Sequence, residues 1–533
     1  MGFTDYLVIA LWIFIAFFFL MPIFIFIYLY IRDHNQKQHS ILRNFPVLGK
    51  IRYSTEQIGP EIRQYLINND TDGKPFSRKD YQDVVKAGKY KERLVGFGSL
   101  RNFNESGFYI KNTLFPKLKE EMAVDQSQKI NTRIYKIDNE GLFLRKEHQE
   151  EKVIDPYYLK DNDAIVIGEY TCKTPFVTKG LIGQSGMSFG ALGDHAISAL
   201  SKGLHLAGGT WMNTGEGGIS PYHLQGKADI IMQIGPGFFG VRKLNGEFSW
   251  EEFQKKSQIE QIKAFEIKLA QGAKARGGHV EAEKVTEEIA AIRLVAVGKT
   301  IDSPNRFPEF SDVPSLFEFI EKLRTVGGKP IGIKIVVGDM EALENMINYM
   351  KVSGTGPDFI TVDGGEGGTG ATVQELADAV GLPLHAALPI LDSMLKQYGI
   401  RDRVKIIASG KLITPDRIAI ALAMGADLVN IARGFMFSVG CIMAGKCHTN
   451  ECPVGVATTD RKLQNGLDIE EKHYRVCNYV VSLREGLYNL AAAAGINSPT
   501  KFEQKHIAYK DEYGRVFSLE EITQSHDRVL QKV

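Results

Sequence analysis

Cysteine is scarce in this chain, with five in 533 residues. So few in so long a chain exclude a disulfide framework. Excess charge of either sign is lacking too: the formal net charge is +1. No strong global field therefore favours nucleic acid or an acidic partner. No G-x-G-x-x-G follows an early strand with an acidic residue about 20 positions on, which excludes the usual dinucleotide fingerprint. Short-period repeats and low-complexity tracts are absent as well. Glycine, by contrast, is plentiful at 53 residues, about 10% of the chain against roughly 7% in average usage. That excess suits a fold with many tight strand-to-helix loops, some approaching phosphate.

Charge is also missing from the whole run 7–31, which is rich in Ile, Phe, Leu and Tyr. At about 1.5 Å per residue this run can span a roughly 30 Å hydrocarbon core with some tilt. Pro22 is tolerable in a membrane helix, and Tyr6, Trp12, Tyr28 and Tyr30 suit interfacial anchors. A signal peptide would need a basic start, a shorter apolar core and a small-x-small site. Here Asp5 precedes the run and no such site follows. A transmembrane helix over 7–31 is expected. Arg32, Lys37, Arg43, Lys50 and Arg52 come next, so the positive-inside rule makes this a single-pass protein of the cell membrane with its large domain in the cytoplasm. Clustered, unbridged cysteines fit that reducing side.

Residues 33–160 read as an N-terminal α+β extension that packs on the larger domain after it. Helices are expected over 62–69 and 81–90, and strands within 117–159. From about Val177 the pattern changes to short apolar strands alternating with helices. The strands are expected over 177–182, 211–213, 230–234, 265–270, 331–336, 359–362, 404–408 and 428–431, with clear helices over 195–206, 342–352 and 415–424. Eight such units in a row favour an α/β fold with a (β/α)8 TIM barrel, spanning 161–500, over an open doubly wound sheet. Residues 501–533 read as a polar C-terminal tail on the barrel surface.

Barrels of this kind commonly hold phosphate at the loops after strands seven and eight. Strand seven runs into Ser409-Gly410-Lys411 and strand eight into Arg433-Gly434-Phe435. Strand six runs into Asp363 and a loop carrying Gly364, Gly365, Glu366, Gly367, Gly368 and Gly370. One glycine loop alone is explained by a tight turn. Three at successive strand ends favour a phosphate-bearing cofactor, and FMN fits better than a dinucleotide. Lys334 lies within an apolar strand, and a lysine facing a barrel centre must be paired or functional. Beside a flavin its charge would stabilise the reduced anionic ring.

The run 440–460 reads GCIMAGKCHTNECPVGVATTD, with Cys441, Cys447 and Cys452 spaced C-x5-C-x4-C before Pro453. Thiolates ligate iron–sulfur clusters, and a Cys-Pro ending is common in such runs. Structural zinc prefers closer pairs and four ligands. Three local thiolates suit a cluster with one corner missing.

This run closely resembles the iron–sulfur loop of glutamate synthase large subunits. The match continues upstream in GMSFGAL at 186–192, NTGEGG at 213–218, EIKLAQGAKARGG at 266–278, IKIV at 333–336 and DGGEGGTGA at 363–371. The resemblance implies FMN and a 3Fe–4S cluster on Cys441, Cys447 and Cys452. It also implies an oxidoreductase of CH–NH2 chemistry: 2-oxoglutarate and ammonia form 2-iminoglutarate, which takes hydride from reduced FMN. Lys334 matches the family lysine beside flavin and substrate. Gly190, Gln233, Lys268, Gln271 and Lys274 match regions that contact either. Glu216 reads as a substrate-site carboxylate or as a loop carboxylate capping amides. Lys268, Lys274 and Lys334 can fix the two substrate carboxylates.

The pattern also departs from the family. No cysteine precedes Cys172, and only about 70 residues follow Asp460. The glutaminase and β-helix parts are therefore expected to be missing, with ammonia taken free or from a glutaminase partner. The electron donor is expected to be another protein or a membrane carrier. Three alternatives compete: a related FMN enzyme on another amine or 2-oxo acid, a membrane-tethered redox relay or sensor, and a barrel using a single catalytic loop cysteine.

Overall fold

The computed structural model describes residues 2–91, 94–136, 149–274 and 279–523. It divides into two units, Met1–Lys79 and Asp80–Val533.

In the first unit the helix Phe3–Asn35 contains the whole 7–31 run and is long and apolar enough to cross a membrane. Its apolar side chains face outward. The helix Gly49–Ile62 follows, and a π-helical turn over Arg63–Ile67 extends it. This helix starts well before the expected 62–69. Gly59 and Pro60 disguise it in the sequence. An Arg52–Glu56 pair one turn apart, at 2.7 Å, supports it.

The second unit is built around a closed barrel of eight parallel strands. They are β1 (Ile182–Gln184), β2 (Trp211–Asn213), β3 (Asp229–Ile234), β4 (Ile262–Lys268), β5 (Ile331–Ile335), β6 (Phe359–Asp363), β7 (Lys405–Ser409) and β8 (Leu428–Ile431). They neighbour one another in sequence order, and β8 pairs with β1 to close the ring. The Ile- and Val-rich strands are buried on both faces, as parallel strands covered by helices must be. The TIM-barrel expectation is met.

Two strands depart from their expected limits by more than one residue at an end. Residues 177–182 straddle two elements: Phe176–Thr178 pairs antiparallel with Ile165–Ile167, and β1 begins only at Ile182. Apolar residues on either side hide the break at Lys179-Gly180. β4 starts at Ile262, three residues early, because Lys263 reads as a surface residue; it lies at the rim, 3.6 Å from Asp229.

Trp211 plugs the barrel interior. It is fully buried, and its indole N–H donates to Asn430 Oδ1 at 3.0 Å. Gly183 makes room for it, since a Cβ there would lie 2.0 Å from the indole ring. Burying an indole of about 200 Å² stabilises by roughly 5 kcal/mol. Outside the barrel, the stretch expected to hold strands contributes Ile130–Tyr135 paired with Gln149–Ile154. The region from 501 onward contributes Ile507–Lys510 and Val516–Ser518, which form a sheet with Gly107–Ile110. The last part of that expected tail, 524–533, lies outside the described residues.

Candidate active site

Polar residues gather at the C-terminal ends of the strands. In-register residues of parallel strands point to the same side. Lys268 on β4 is in register with Lys334 on β5, and Lys334 with Thr361 on β6. Both lysines are buried. Two such ammonium groups side by side need counter-charges. Lys334 Nζ has Asp363 Oδ2 at 3.1 Å, and Lys268 Nζ has Glu216 Oε1 at 2.6 Å. Burial works against the charge on Lys334, but Asp363, Glu266 and Glu216 outweigh it and hold its pKa above the ordinary value. Burial likewise opposes ionisation of Glu216. Lys268, Lys274 and Arg293 overcome it and hold that carboxyl below the usual range.

Glu266 lies two residues before Lys268, on the same face and one layer deeper. It is only 1% exposed. Its Oε1 accepts from Asn213 Nδ2 at 2.9 Å and from Gln233 Nε2 at 2.6 Å, and its Oε2 accepts from Thr361 Oγ1 at 2.5 Å. Side chains of β2, β3, β4 and β6 therefore share one carboxylate. On β1, Gln184 Nε2 donates to the carbonyls of Ser185 and Asn213, while its buried Oε1 has no partner among the described residues.

The loop after β4 is laced to the loop after β6. Gln271 Nε2 donates to Gly368 O at 2.6 Å, Gly272 N to Asp363 Oδ2 at 3.0 Å, Ala273 N to Gly365 O at 3.2 Å, and Lys274 Nζ to Ala371 O at 3.0 Å. A Cβ on Gly272 would stand 1.9 Å from Gly364 O, so only glycine allows this approach. Burial pushes the Lys274 pKa down to about 8, against the pull of Glu216. The end of the motif that carries Lys274, at 275–278, lies outside the described residues.

Arg293 completes the cluster from the end of the helix Glu287–Arg293. It is buried and lies against Gly190, and one Nη donates to Phe189 O at 3.0 Å. Its Nε has no partner among the described residues, and burial lowers its pKa to about 10. The structure thus brings together Gly190, Glu216, Gln233, Lys268, Gln271, Lys274 and Lys334. To these it adds Gln184, Glu266, Arg293 and the pairing role of Asp363.

The expected phosphate loops meet at one side of the same mouth. Ser409 O accepts from Gly364 N at 2.8 Å, and Gly365 N donates to Leu382 O at 2.8 Å. Arg433 reaches back to Glu366 O at 2.8 Å and lies over Gly368. Gly410 has room for a side chain only against Glu366 and Leu384. Gly434 sits under the Tyr479 hydroxyl, which a Cβ would approach to 2.3 Å, so this glycine serves close packing. Gly370 is exposed. Both carboxylate oxygens of Glu366 accept from Leu384 N, at the start of the helix Leu384–Gln397. Its charge therefore faces a helix N-terminus. The residues fit FMN: Lys334 and the Gln184 acceptor could meet the ring, while Arg433 and the backbone at Ser409 and Gly410 could meet the phosphate.

The cysteine loop leaves the barrel directly after the helix Arg433–Ser438, and Cys441 N donates back to Met436 O at 2.9 Å. The three thiols influence one another electrostatically. Burial raises Cys447 and pushes Cys441 up to about 12, with the neighbouring thiols adding to both shifts. Among the described residues no three His, Cys, Asp or Glu side chains stand close enough to hold one metal ion. A cluster is larger than an ion, and its thiolates sit further apart. His448, next to Cys447 in the chain and the one local side chain that could add a fourth ligand, is exposed. Buried Lys284 ties this loop to the rest of the site: its Nζ donates to Cys447 O at 2.6 Å, Ala457 O at 3.1 Å and Ala191 O at 3.5 Å. A cation that feels Cys447 and Cys452, beside glycine-rich backbone, suits anionic thiolate ligands.

Residues 118–497 match the conserved region in glutamate synthase. The chain belongs to the glutamate synthase family. It is 63% identical, over 97% of its own length and 99% of the relative's, to the glutamate synthase large subunit-like protein YerD of Bacillus subtilis. It is 36% identical to the archaeal glutamate synthase [NADPH] of Methanocaldococcus jannaschii over 58% of each chain. The large chain of glutamate synthase [NADPH] from Azospirillum brasilense is 31% identical over 59% of this chain, a match spanning 20% of that protein. The chain thus spans little more than half of the archaeal relative. All the converging residues named above lie inside the matched region.

Proposed function

We propose that this protein is an FMN- and iron–sulfur-dependent oxidoreductase that reductively aminates 2-oxoglutarate with ammonia to give glutamate. The observation that carries this reading is the cation cluster Lys268, Lys274, Lys334 and Arg293 at the mouth of the barrel. Lys268 and Lys334 are bound to carboxylates. Lys274 and Arg293 meet mainly backbone carbonyls, which leaves positive charge for an anionic ligand. Two cations that both interact with Glu216 suit a small dicarboxylate better than a neutral substrate.

In this reading Lys274 and Arg293 fix the substrate carboxylates, and Glu216 holds Lys268 in place. Lys334, kept charged by Asp363, stabilises negative charge that develops at the mouth. The laced loops after β4 and β6 close the site against water, which protects the imine from hydrolysis. FMN, when bound, supplies hydride to the imine carbon. Cys441, Cys447 and Cys452 would hold a 3Fe–4S cluster that passes electrons inward from a protein or membrane donor. The helix Phe3–Asn35 would hold the enzyme on the cytoplasmic side of the cell membrane. Ammonia arrives free or from a glutaminase partner.

The test is isotopic. Chemically reduced protein is mixed anaerobically with 2-oxoglutarate and ¹⁵N-ammonium, and the products are read by mass spectrometry. Formation of ¹⁵N-glutamate stoichiometric with bound flavin supports the reading. Its absence, together with oxidation by a different 2-oxo acid or by a redox dye alone, favours the neighbouring readings of another substrate or an electron relay.

A further inference from the structure

Asp33 lies two residues beyond the apolar run and is 1% exposed. The turn after the helix covers it. Its Oδ2 accepts from Val47 N at 3.0 Å, and its Oδ1 accepts from Lys50 Nζ at 2.6 Å. The start of the helix Gly49–Ile62 is thereby fastened to the end of the helix Phe3–Asn35. If 7–31 spans the bilayer, the second helix leaves from the depth of the lipid headgroups.

The face that this helix presents is apolar and uncovered. Leu48 is 67% exposed, Ile51 66%, Ile58 53% and, within the π turn, Leu66 81%. Leu48, Ile51 and Ile58 recur at helical spacing and form one stripe, and Phe45 stands exposed just before it. A continuous apolar stripe in water is costly, and soluble surfaces seldom carry one. Charge flanks the stripe. Residues 32–63 hold six Lys and Arg against three Asp and Glu. Of the three acids, Asp33 is neutralised by Lys50, and Glu56 by Arg52 at 2.7 Å. The net sign is that which an anionic leaflet attracts, at about 1 kcal/mol per basic residue near the surface. A long charged helix flank with an apolar stripe is also the pattern of helices that lie in the interface.

We propose that residues 45–67, built on the helix Gly49–Ile62, form a membrane-surface segment whose apolar stripe enters the headgroup boundary beside the span and whose basic flanks bind anionic lipid headgroups. This rests on reading 7–31 as a membrane span. The consequence is a two-point attachment: the span fixes the protein to the membrane, and the surface helix fixes the level at which the chain leaves it.

The test uses the full-length protein in vesicles of phosphatidylcholine alone, or of phosphatidylcholine mixed equally with phosphatidylglycerol. A photoreactive p-benzoylphenylalanine replaces Ile58, Leu66 or, as the span control, Phe17. On illumination, the labels at 58 and 66 are expected to form lipid adducts. Their yield should be several-fold higher in the mixed vesicles, and that excess should vanish in a Lys37→Gln, Arg43→Gln, Arg63→Gln variant. Adducts to protein at 58 and 66, with lipid adducts at 17, would overturn the surface helix and leave the span standing. Equal lipid yields in the two vesicle types would overturn the anionic assignment. A label at 17 that finds no lipid would overturn the span, and this proposal with it.

Discussion

Glu216, on the loop after β2, holds the Lys268 ammonium at 2.6 Å, and both side chains are largely withdrawn from water. Lys274, Arg293 and Lys334 also interact with this carboxylate, so it serves more than one cation. Glu216→Gln should therefore destabilise the protein beyond the loss of one hydrogen bond. Leaving a buried charge without its partner costs about 3–5 kcal/mol. Urea midpoints should fall for Glu216→Gln and partly recover in the Glu216→Gln, Lys268→Met double variant. An unchanged midpoint in the single variant would remove the pair from the account.

Lys274 sets a pH dependence. Its pKa is about 8 in the folded protein against an ordinary 10.5. Between those values the unfolded chain carries the extra proton, so this group's contribution to stability improves as pH rises through the window. The cost of burying its charge is fully present below about pH 8. Function runs the opposite way, because the site loses a cation above that pH. Then kcat/KM for the oxo acid should fall above about pH 8, stay level in Lys274→Arg and be low throughout in Lys274→Met. The same alkaline limb in all three would show that another group titrates.

Gly272→Ala tests the lacing of the two loops. The new methyl group would meet Gly364 O at 1.9 Å, so one loop must move. Overpacking of this kind costs about 1–3 kcal/mol. The larger expected effect is poor flavin retention, measured as the flavin-to-protein ratio after gel filtration. A full complement of flavin in this variant would mean that the lacing does not shape the cofactor site.

The cysteines separate by position. Cys447 lies on the loop tied down by Lys284, whereas Cys477 is buried within the helix Ile469–Ala493, its thiol pushed up to about 12 by burial. Cys447→Ser should abolish the electron paramagnetic resonance signal of the oxidised cluster and leave bound flavin in place. Cys477→Ser should leave the signal intact. Loss of the signal in both, or in neither, would contradict the ligand assignment.

Much of this site could be read in the sequence because its residues break a pattern. Lys334 interrupts an apolar strand, and a buried charge has to be satisfied by something nearby. Glu266 interrupts β4 in the same way, yet the alternation of Glu266 and Lys268 with Phe265 and Ile267 resembles a half-exposed strand. Its role emerges only when the barrel closes and Asn213, Gln233 and Thr361 converge on it. Arg293 gave no local signal, since a basic residue near a helix C-terminus is ordinary. Only the tertiary fold buries it beside Gly190 and within reach of Glu216. Glu366 was visible in the glycine-rich loop but its partner was not: the fold turns its charge to the start of the helix Leu384–Gln397. Seven of the eight barrel strands, β2 to β8, were legible from composition. The break between Phe176–Thr178 and β1 was not, because apolar residues on both sides conceal a change of sheet.

The most direct test of the central claim follows flavin absorbance in anaerobic, pre-reduced protein on mixing with substrate. Reductive amination at this site predicts that the oxidised flavin bands return only when 2-oxoglutarate and ammonium are both present, and that Lys334→Met, with flavin bound, does not reoxidise. A flavin that stays reduced with both substrates, or reoxidises equally without ammonium, would contradict it.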